Sequence, residues 1–299
     1  MKTFLLILFS TLLLACSSRK APTEEAFLKS TDSLNQEKAV TVDEEVVSSI
    51  LQQIPSPLEI SMLLKQSGAR YNSNILNAPA NSSKYNTSYQ KALNLGIYGA
   101  DLGYANIYEK NIDGIRYLSS IKSLADDLNI GQFFDVETIG KLATSSNNLD
   151  SLLLLTTQNF NSINQYLQNR SRANLSVLLL VGGWVEAMEI ICQLASQNPN
   201  NKELMESIGA QKIIVEQIAI LLSFYEADNN IALLSKEFKE LKTIFDAVSI
   251  TYTYKESTME IVDGVAIIKD NSTSTINITA EDTIDIKNKI GSIRTRIIS

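Results

Sequence analysis

The chain has 299 residues, 44% of them hydrophobic, and its 33 acidic and 26 basic side chains give a net charge of −7. It contains no histidine and only two cysteines, which excludes Ser-His-Asp and Cys-His catalysis and both histidine-containing and cysteine-rich zinc sites. An acidic chain without a basic patch is not expected to bind nucleic acid, and no motif indicates a metal or a cofactor.

The N-terminus has the pattern of a bacterial signal peptide. Lys2 precedes an apolar run over residues 4–14, and the letters "LLAC" then end in Cys16. The run is too short for a transmembrane helix, which favours a cleaved signal peptide over residues 1–15. "LLAC" resembles the lipobox of bacterial lipoproteins, which implies that Cys16 is lipidated with palmitate-type chains and becomes the first mature residue. A chance cysteine after an apolar run is the alternative.

The chain thus resembles the uncharacterised helical lipoproteins of the diderm bacterial envelope. Because the resemblance rests on the lipobox, it carries no functional residues over to this chain. Ser17 stands where an aspartate retains many lipoproteins in the inner membrane, which implies the outer membrane and leaves its periplasmic or surface face open. Residues 16–43 are polar and predict a flexible tether, and several acyl chains are enough to hold it at the membrane.

From residue 44 to residue 299 the sequence predicts one all-α domain, an antiparallel helical bundle. Apolar residues recur at spacings of three and four, and the short breakers "NPNN" and "ADNN" predict tight helical hairpins. The predicted helices cover residues 44–54, 57–68, 85–110, 112–128, 133–144, 149–169, 173–197, 202–227 and 230–252.

The C-terminal segment changes character. Residues 257–279 are rich in Ile, Val and Thr around an Asp263-Gly264 turn signal, which predicts a small β-hairpin or an extended arm. Thr279 and Asp282 then form a capping-box pattern that begins a final helix. One face of this helix must dock on the bundle, because it carries Ile286, Ile290, Ile293 and Ile297.

Three glycines interrupt the apolar helix predicted over residues 85–110. Gly96, Gly99 and Gly103 share one stripe of that helix, and each costs up to ~1 kcal/mol relative to alanine. We expect the stripe to pack closely on a second smooth patch, with Gly99 and Gly103 facing Gly182 and Gly183. The alternative is the floor of a ligand cavity.

Two acidic side chains fall within the same apolar helices. Asp101 and Glu186 need partners if they are buried, and they approach each other if the two glycine patches meet. A carboxyl pair could act as a general acid and base, as in glycosidases; alternatively each bonds a Tyr or Lys or reaches solvent. Tyr98, Tyr104 and Trp184 could form an aromatic-walled pocket, although filling of the core is the simpler interpretation.

Three functions are compatible with these features. The first is a non-enzymatic lipoprotein, tethered to the outer membrane, that binds another envelope protein or has a structural role there. The second is a receptor for a small ligand, with Tyr98, Asp101, Tyr104, Trp184 and Glu186 as binding residues. The third is a histidine-free hydrolase that uses the two carboxyl groups. We favour the first, because structural ion pairs outnumber catalytic pairs.

Overall fold

Helices dominate the computed structural model, as the helical periodicity predicts. It describes residues 44–54, 70–135, 137, 149–262, 265–269 and 271–299. The helices are α1 (Glu44–Gln53), α2 (Ser88–Ile107), α3 (Asn111–Asp127), α4 (Leu149–Gln168), α5 (Ala173–Gln197), α6 (Lys202–Ala210), α7 (Lys212–Ser223), α8 (Asn229–Phe245) and α9 (Ala280–Ile298). The prediction of a helical fold with a small β element near the C-terminus is therefore confirmed.

Several sequence predictions fall outside the described residues. They are the signal peptide, Cys16 and the tether, the helix over residues 57–68, most of the helix over 133–144, and the Asp263-Gly264 turn. These stay predictions.

The core is built around α5, which is buried along nearly its whole length. Among the described residues it is the one helix long and apolar enough to cross a membrane, and 94% of its most apolar stretch is buried inside the fold. A helix that is apolar on all sides is typical of the centre of a large bundle. α2 and α9 pack against α5, and α3 packs against α2.

The segment predicted as one helix over residues 202–227 forms two helices, α6 and α7, which meet at Gln211. Gly209, near this break, leaves room for the C-terminal β segment, because a Cβ atom there would lie 2.6 Å from Ile276 Cγ2. Gln211 in turn accepts a hydrogen bond from the Trp184 indole N–H at 3.0 Å. The single-helix prediction is wrong because these long-range contacts decide the local conformation.

The β segment is longer than predicted. β1 (Ser249–Thr253) pairs with β4 (Thr273–Asn277), and β2 (Thr258–Val262) pairs with β3 (Val265–Lys269), both antiparallel. The predicted hairpin is confirmed, but the helix predicted over 230–252 ends at Phe245 and its last residues form β1. We call residues 249–277 the β-arm.

The final helix begins and docks as the sequence predicts. The Thr279 side chain accepts a hydrogen bond from the Asp282 N–H, and the Asp282 carboxylate accepts one from the Thr279 N–H at 2.8 Å, which completes the capping box. The predicted isoleucine face of α9 is buried. On α8, the Glu237 carboxylate accepts hydrogen bonds from Lys289 and Arg296 of α9, both at 2.6 Å.

Glycines allow α2 and α5 to touch backbone to backbone. A Cβ atom at Gly96 would lie 1.9 Å from the Leu179 carbonyl oxygen, and one at Gly182 would lie 1.9 Å from the Leu93 carbonyl oxygen. A close crossing is therefore present, but at Gly96 and not at Gly99, where the sequence places it together with Gly103; nothing lies within 4 Å of a Cβ atom at Gly99. Three residues along a helix turn the side chain about 60° from the line of contact, so Gly99 points past α5.

We therefore expect opposite effects from two alanine substitutions in the same helix. Gly96→Ala should lower the free energy of unfolding by roughly 1–3 kcal/mol, because its methyl group overlaps the α5 backbone. Gly99→Ala, the matched control, should raise it by up to ~1 kcal/mol through helix propensity. Urea denaturation of both variants measures the difference, and a stabilised Gly96→Ala would contradict the close crossing.

Candidate functional site

Asp101 and Glu186 meet inside the bundle. Asp101 lies on α2, Glu186 lies on α5, and both side chains are 0% exposed. The two carboxyl groups lie close enough for Glu186 to raise the pKa of Asp101. The approach expected from the glycine patches is thus present, and it leaves two acids in a site closed to solvent.

A third charged residue, which the sequence interpretation missed, completes this cluster. Arg294 of α9 donates from Nε to Glu186 Oε2 at 2.6 Å and from Nη2 to Oε1 at 2.7 Å, a bidentate ion pair. Burial opposes the charge of Arg294, but the contact with Glu186 raises its pKa. The sequence held one signal: Arg294 follows Ile290 by four residues and so lies at the edge of the buried face of α9.

The neutral form of Asp101 explains how the cluster balances its charge. Burial, with the adjacent Glu186 carboxylate, raises the pKa of Asp101 well above its ordinary value of 3.8. The Asn77 backbone N–H donates to Asp101 Oδ2 at 3.3 Å, whereas Oδ1 has no other donor in the described part of the chain. A protonated Asp101 that donates to Glu186 satisfies both acids, and the remaining carboxylate is matched by Arg294.

Residues 70–85, which we call the cover segment, lie over the cluster. Asn77 is 1% exposed, and its amide donates to the Tyr85 hydroxyl at 3.0 Å and to Asn94 Oδ1 at 3.4 Å. The Asn94 amide donates onward to the Ile297 carbonyl at 3.0 Å. Arg294 also holds the segment, since its Nη2 donates to the Ile75 carbonyl at 3.0 Å. The cover segment, α2 and α9 are therefore joined by one buried hydrogen-bond network.

The three aromatic residues proposed as pocket walls are buried core residues. The Tyr98 hydroxyl donates to the Ala78 carbonyl at 3.0 Å, and the Tyr104 hydroxyl accepts from the Asn72 N–H at 3.1 Å. Burial raises the pKa of Tyr104 to about 12. Trp184 packs on Phe238 at 5.7 Å between ring centroids and donates to a glutamine on the α6–α7 junction. Their polar ends are satisfied within the protein, as the core-filling interpretation expects.

The chemistry open to this cluster is that of a structural ion pair. Glycosidases hold their two carboxyl groups about 5 Å or more apart, with the substrate between them. Here Asp101 and Glu186 are both closed to solvent, and the Glu186 carboxylate is paired with Arg294, so no space is left for a substrate between them. Within the described ranges, no group of three or more acidic or cysteine side chains could hold a metal ion.

Known proteins provide no family for comparison. No protein-family model matches the chain, and no curated protein and no solved structure matches it. Its function must therefore be argued from its own residues and their contacts.

We expect Asp101→Asn to change how stability depends on pH. Because burial and Glu186 raise the pKa of Asp101 in the fold, the unfolded chain releases this proton at lower pH than the fold does, so wild-type stability falls as the pH rises from about 4 to the folded pKa. Asparagine does not titrate. The variant should therefore gain stability relative to wild type as the pH rises through that window.

Urea unfolding of both proteins across this range measures the effect. A difference between variant and wild type that stays constant with pH would contradict a protonated Asp101. The difference is the informative quantity, because other acids also titrate; the pKa of Glu237, for example, is lowered in the fold by Lys289 and Arg296 against the effect of burial.

Proposed function

We propose that this chain is a non-enzymatic lipoprotein of the bacterial outer membrane, tethered through Cys16, that binds another envelope protein through its β-arm. The observation that carries the proposal is the exposure of large apolar side chains on the arm. Tyr252 is 62% exposed, Tyr254 70%, Met259 69% and Ile268 75%. Contiguous exposed apolar groups on a soluble surface are typical of an interaction site.

The construction of the arm supports this role. Its base is anchored on the bundle, where Ile276 and Val248 pack against Gly209. Side chains of residues 251–259 are all exposed, so no helix of the described residues covers this stretch of the arm. An isolated two-stranded hairpin is marginal in water, and its unpaired edges are ready to pair with another chain. A partner would supply the missing contacts.

The buried cluster supports the non-enzymatic part of the proposal. The polar groups of the cluster interact with one another and with the cover segment; they belong to Asp101, Glu186 and Arg294. Such an arrangement is typical of a rigid scaffold more than of a reacting site. The predicted tether fits an envelope role as well. Its 27 residues after Cys16 could span at most roughly 90 Å when extended, enough for the arm to reach partners away from the membrane.

The tether is tested by Cys16→Ala. We expect this variant to move from the membrane fraction to the soluble fraction, because it lacks the acylated side chain. Fractionation of cells at high salt, with immunoblotting, measures the distribution. A variant that still sediments with membranes would contradict the lipid anchor.

The arm is tested by a photo-crosslinking amino acid placed at Ile268 in intact cells. We expect a defined adduct with an envelope protein, identified by mass spectrometry, because this side chain is the most exposed of the described apolar groups on the arm. Ile112 on α3 is the matched control, since it is 71% exposed but lies on a helix. Equal adducts from both positions, or none from Ile268, would contradict binding through the arm.

A further inference from the structure

The outgoing side of the β-arm, which runs from β1 through residues 254–257 into β2, has a sequence that can pair with a second copy of itself. Residues 252–259 read Tyr-Thr-Tyr-Lys-Glu-Ser-Thr-Met, and all eight are exposed. If an antiparallel copy is placed so that Lys255 lies opposite Glu256, the same register sets Tyr252 opposite Met259 and Thr253 opposite Thr258. The two charges then meet opposite charges and Tyr252 meets Met259, while Tyr254 lies opposite Ser257. Such directly opposite pairs are the units that stabilise a sheet.

The outer edge of this strand is available for pairing. β1 bonds only β4 and β2 bonds only β3 among the described strands, so each uses one of its two edges. The four residues between β1 and β2 stay beside the returning strand: the Lys255 N–H donates to Ser272 Oγ at 3.3 Å, and the Glu256 carbonyl accepts from Asn271 at 2.8 Å. The edge therefore runs from β1 to β2 along one side of the arm.

An irregularity of the arm fits the same register. Thr253 pairs with Thr273 and Thr258 pairs with Lys269. The chain has four residues between these pairs on the outgoing side and three on the returning side, so the outgoing side carries one extra residue, as in a β-bulge. Apolar residues accordingly change from even positions, Tyr252 and Tyr254, to an odd position, Met259. A two-fold axis between residues 255 and 256 pairs even positions with odd ones. Directly opposite residues in an antiparallel pair point to the same face of the sheet. The extra residue moves the apolar face from even to odd positions, so Tyr252 and Met259 can lie opposite each other on one face.

We propose that two copies of this chain associate through antiparallel pairing of this edge, with the two-fold axis between Lys255 and Glu256. The two hairpins would form a four-stranded sheet, and each contact occurs twice, as in any isologous interface. The charge complementarity selects a second copy over an unrelated strand. This inference rests on the proposed function only in treating the β-arm as the binding surface.

The test uses charge reversals in the full mature chain, solubilised in detergent and measured by sedimentation over a range of concentrations. Wild type should dimerise. Lys255→Glu should weaken dimerisation about tenfold, because it places Glu opposite Glu twice in each dimer, and Glu256→Lys should do the same with lysines. Lys236→Glu, an equal charge change at an exposed position on α8, should leave dimerisation unchanged.

Two combinations make the test specific. The double variant K255E/E256K should dimerise like wild type, because each Glu again faces a Lys. An equimolar mixture of the two single variants should form heterodimers with wild-type affinity, since one carries two acidic and the other two basic residues at the axis. All three substituted positions are exposed, so circular dichroism should show an unchanged fold.

Failure is recognisable at each step. A wild-type chain that stays monomeric, a double variant as weak as the single ones, or a mixture without heterodimers would overturn self-pairing. An adduct from Ile268 with a different protein, together with a monomeric chain, would also overturn it while leaving the proposed function standing. Dimerisation with no other envelope partner would support self-pairing and remove the envelope partner from the proposed function.

Discussion

The close crossing of α2 and α5 brings into direct contact the two helices that carry Asp101 and Glu186, and their backbones touch at Gly96 and Gly182. Both acids are buried with no exposed surface. Two ionised carboxylates cannot share such a place. In the fold, the raised pKa of Asp101 favours its protonated form, and the guanidinium of Arg294 on α9 neutralises the charge of Glu186.

The guanidinium then determines where the C-terminal helix lies. Its bidentate contact with Glu186 allows one orientation of Arg294, and its third hydrogen bond, to the Ile75 carbonyl, holds the cover segment over the same point. A buried ion pair is weak evidence for stability, since well-packed apolar residues often do as well. We interpret the cluster as a device for position: it fixes α9 against α5 and closes the cover segment.

The sequence predicted the features that depend on residue spacing within a single helix. The capping box at Thr279 and the isoleucine face of α9 follow from spacing within one helix, and both are present. The close glycine contact is present too, but at Gly96 instead of the predicted Gly99. Arg294 was missed because its partner, Glu186, lies 108 residues away. The strand at 249–253 was read as helix for the same reason, since only pairing with residues 273–277 makes it a strand. The prediction for Gly99 is wrong because of its angle on the helix. Gly99 lies on the same broad stripe as Gly96 but points about 60° away from the line of contact with α5.

Two departures from the usual distribution of polar and apolar groups, among the described residues, differ in kind. Buried Asp101 and Glu186 have their partners within the same molecule, so no external ligand is needed to explain these buried acids. Exposed Tyr254 and Ile268 on the β-arm sit beyond its anchored base, and both edges of the hairpin beyond that base are without a described strand. An apolar surface without an internal partner is explained by an external one. Function is therefore better sought on the arm than in the acidic cluster that the sequence first suggests.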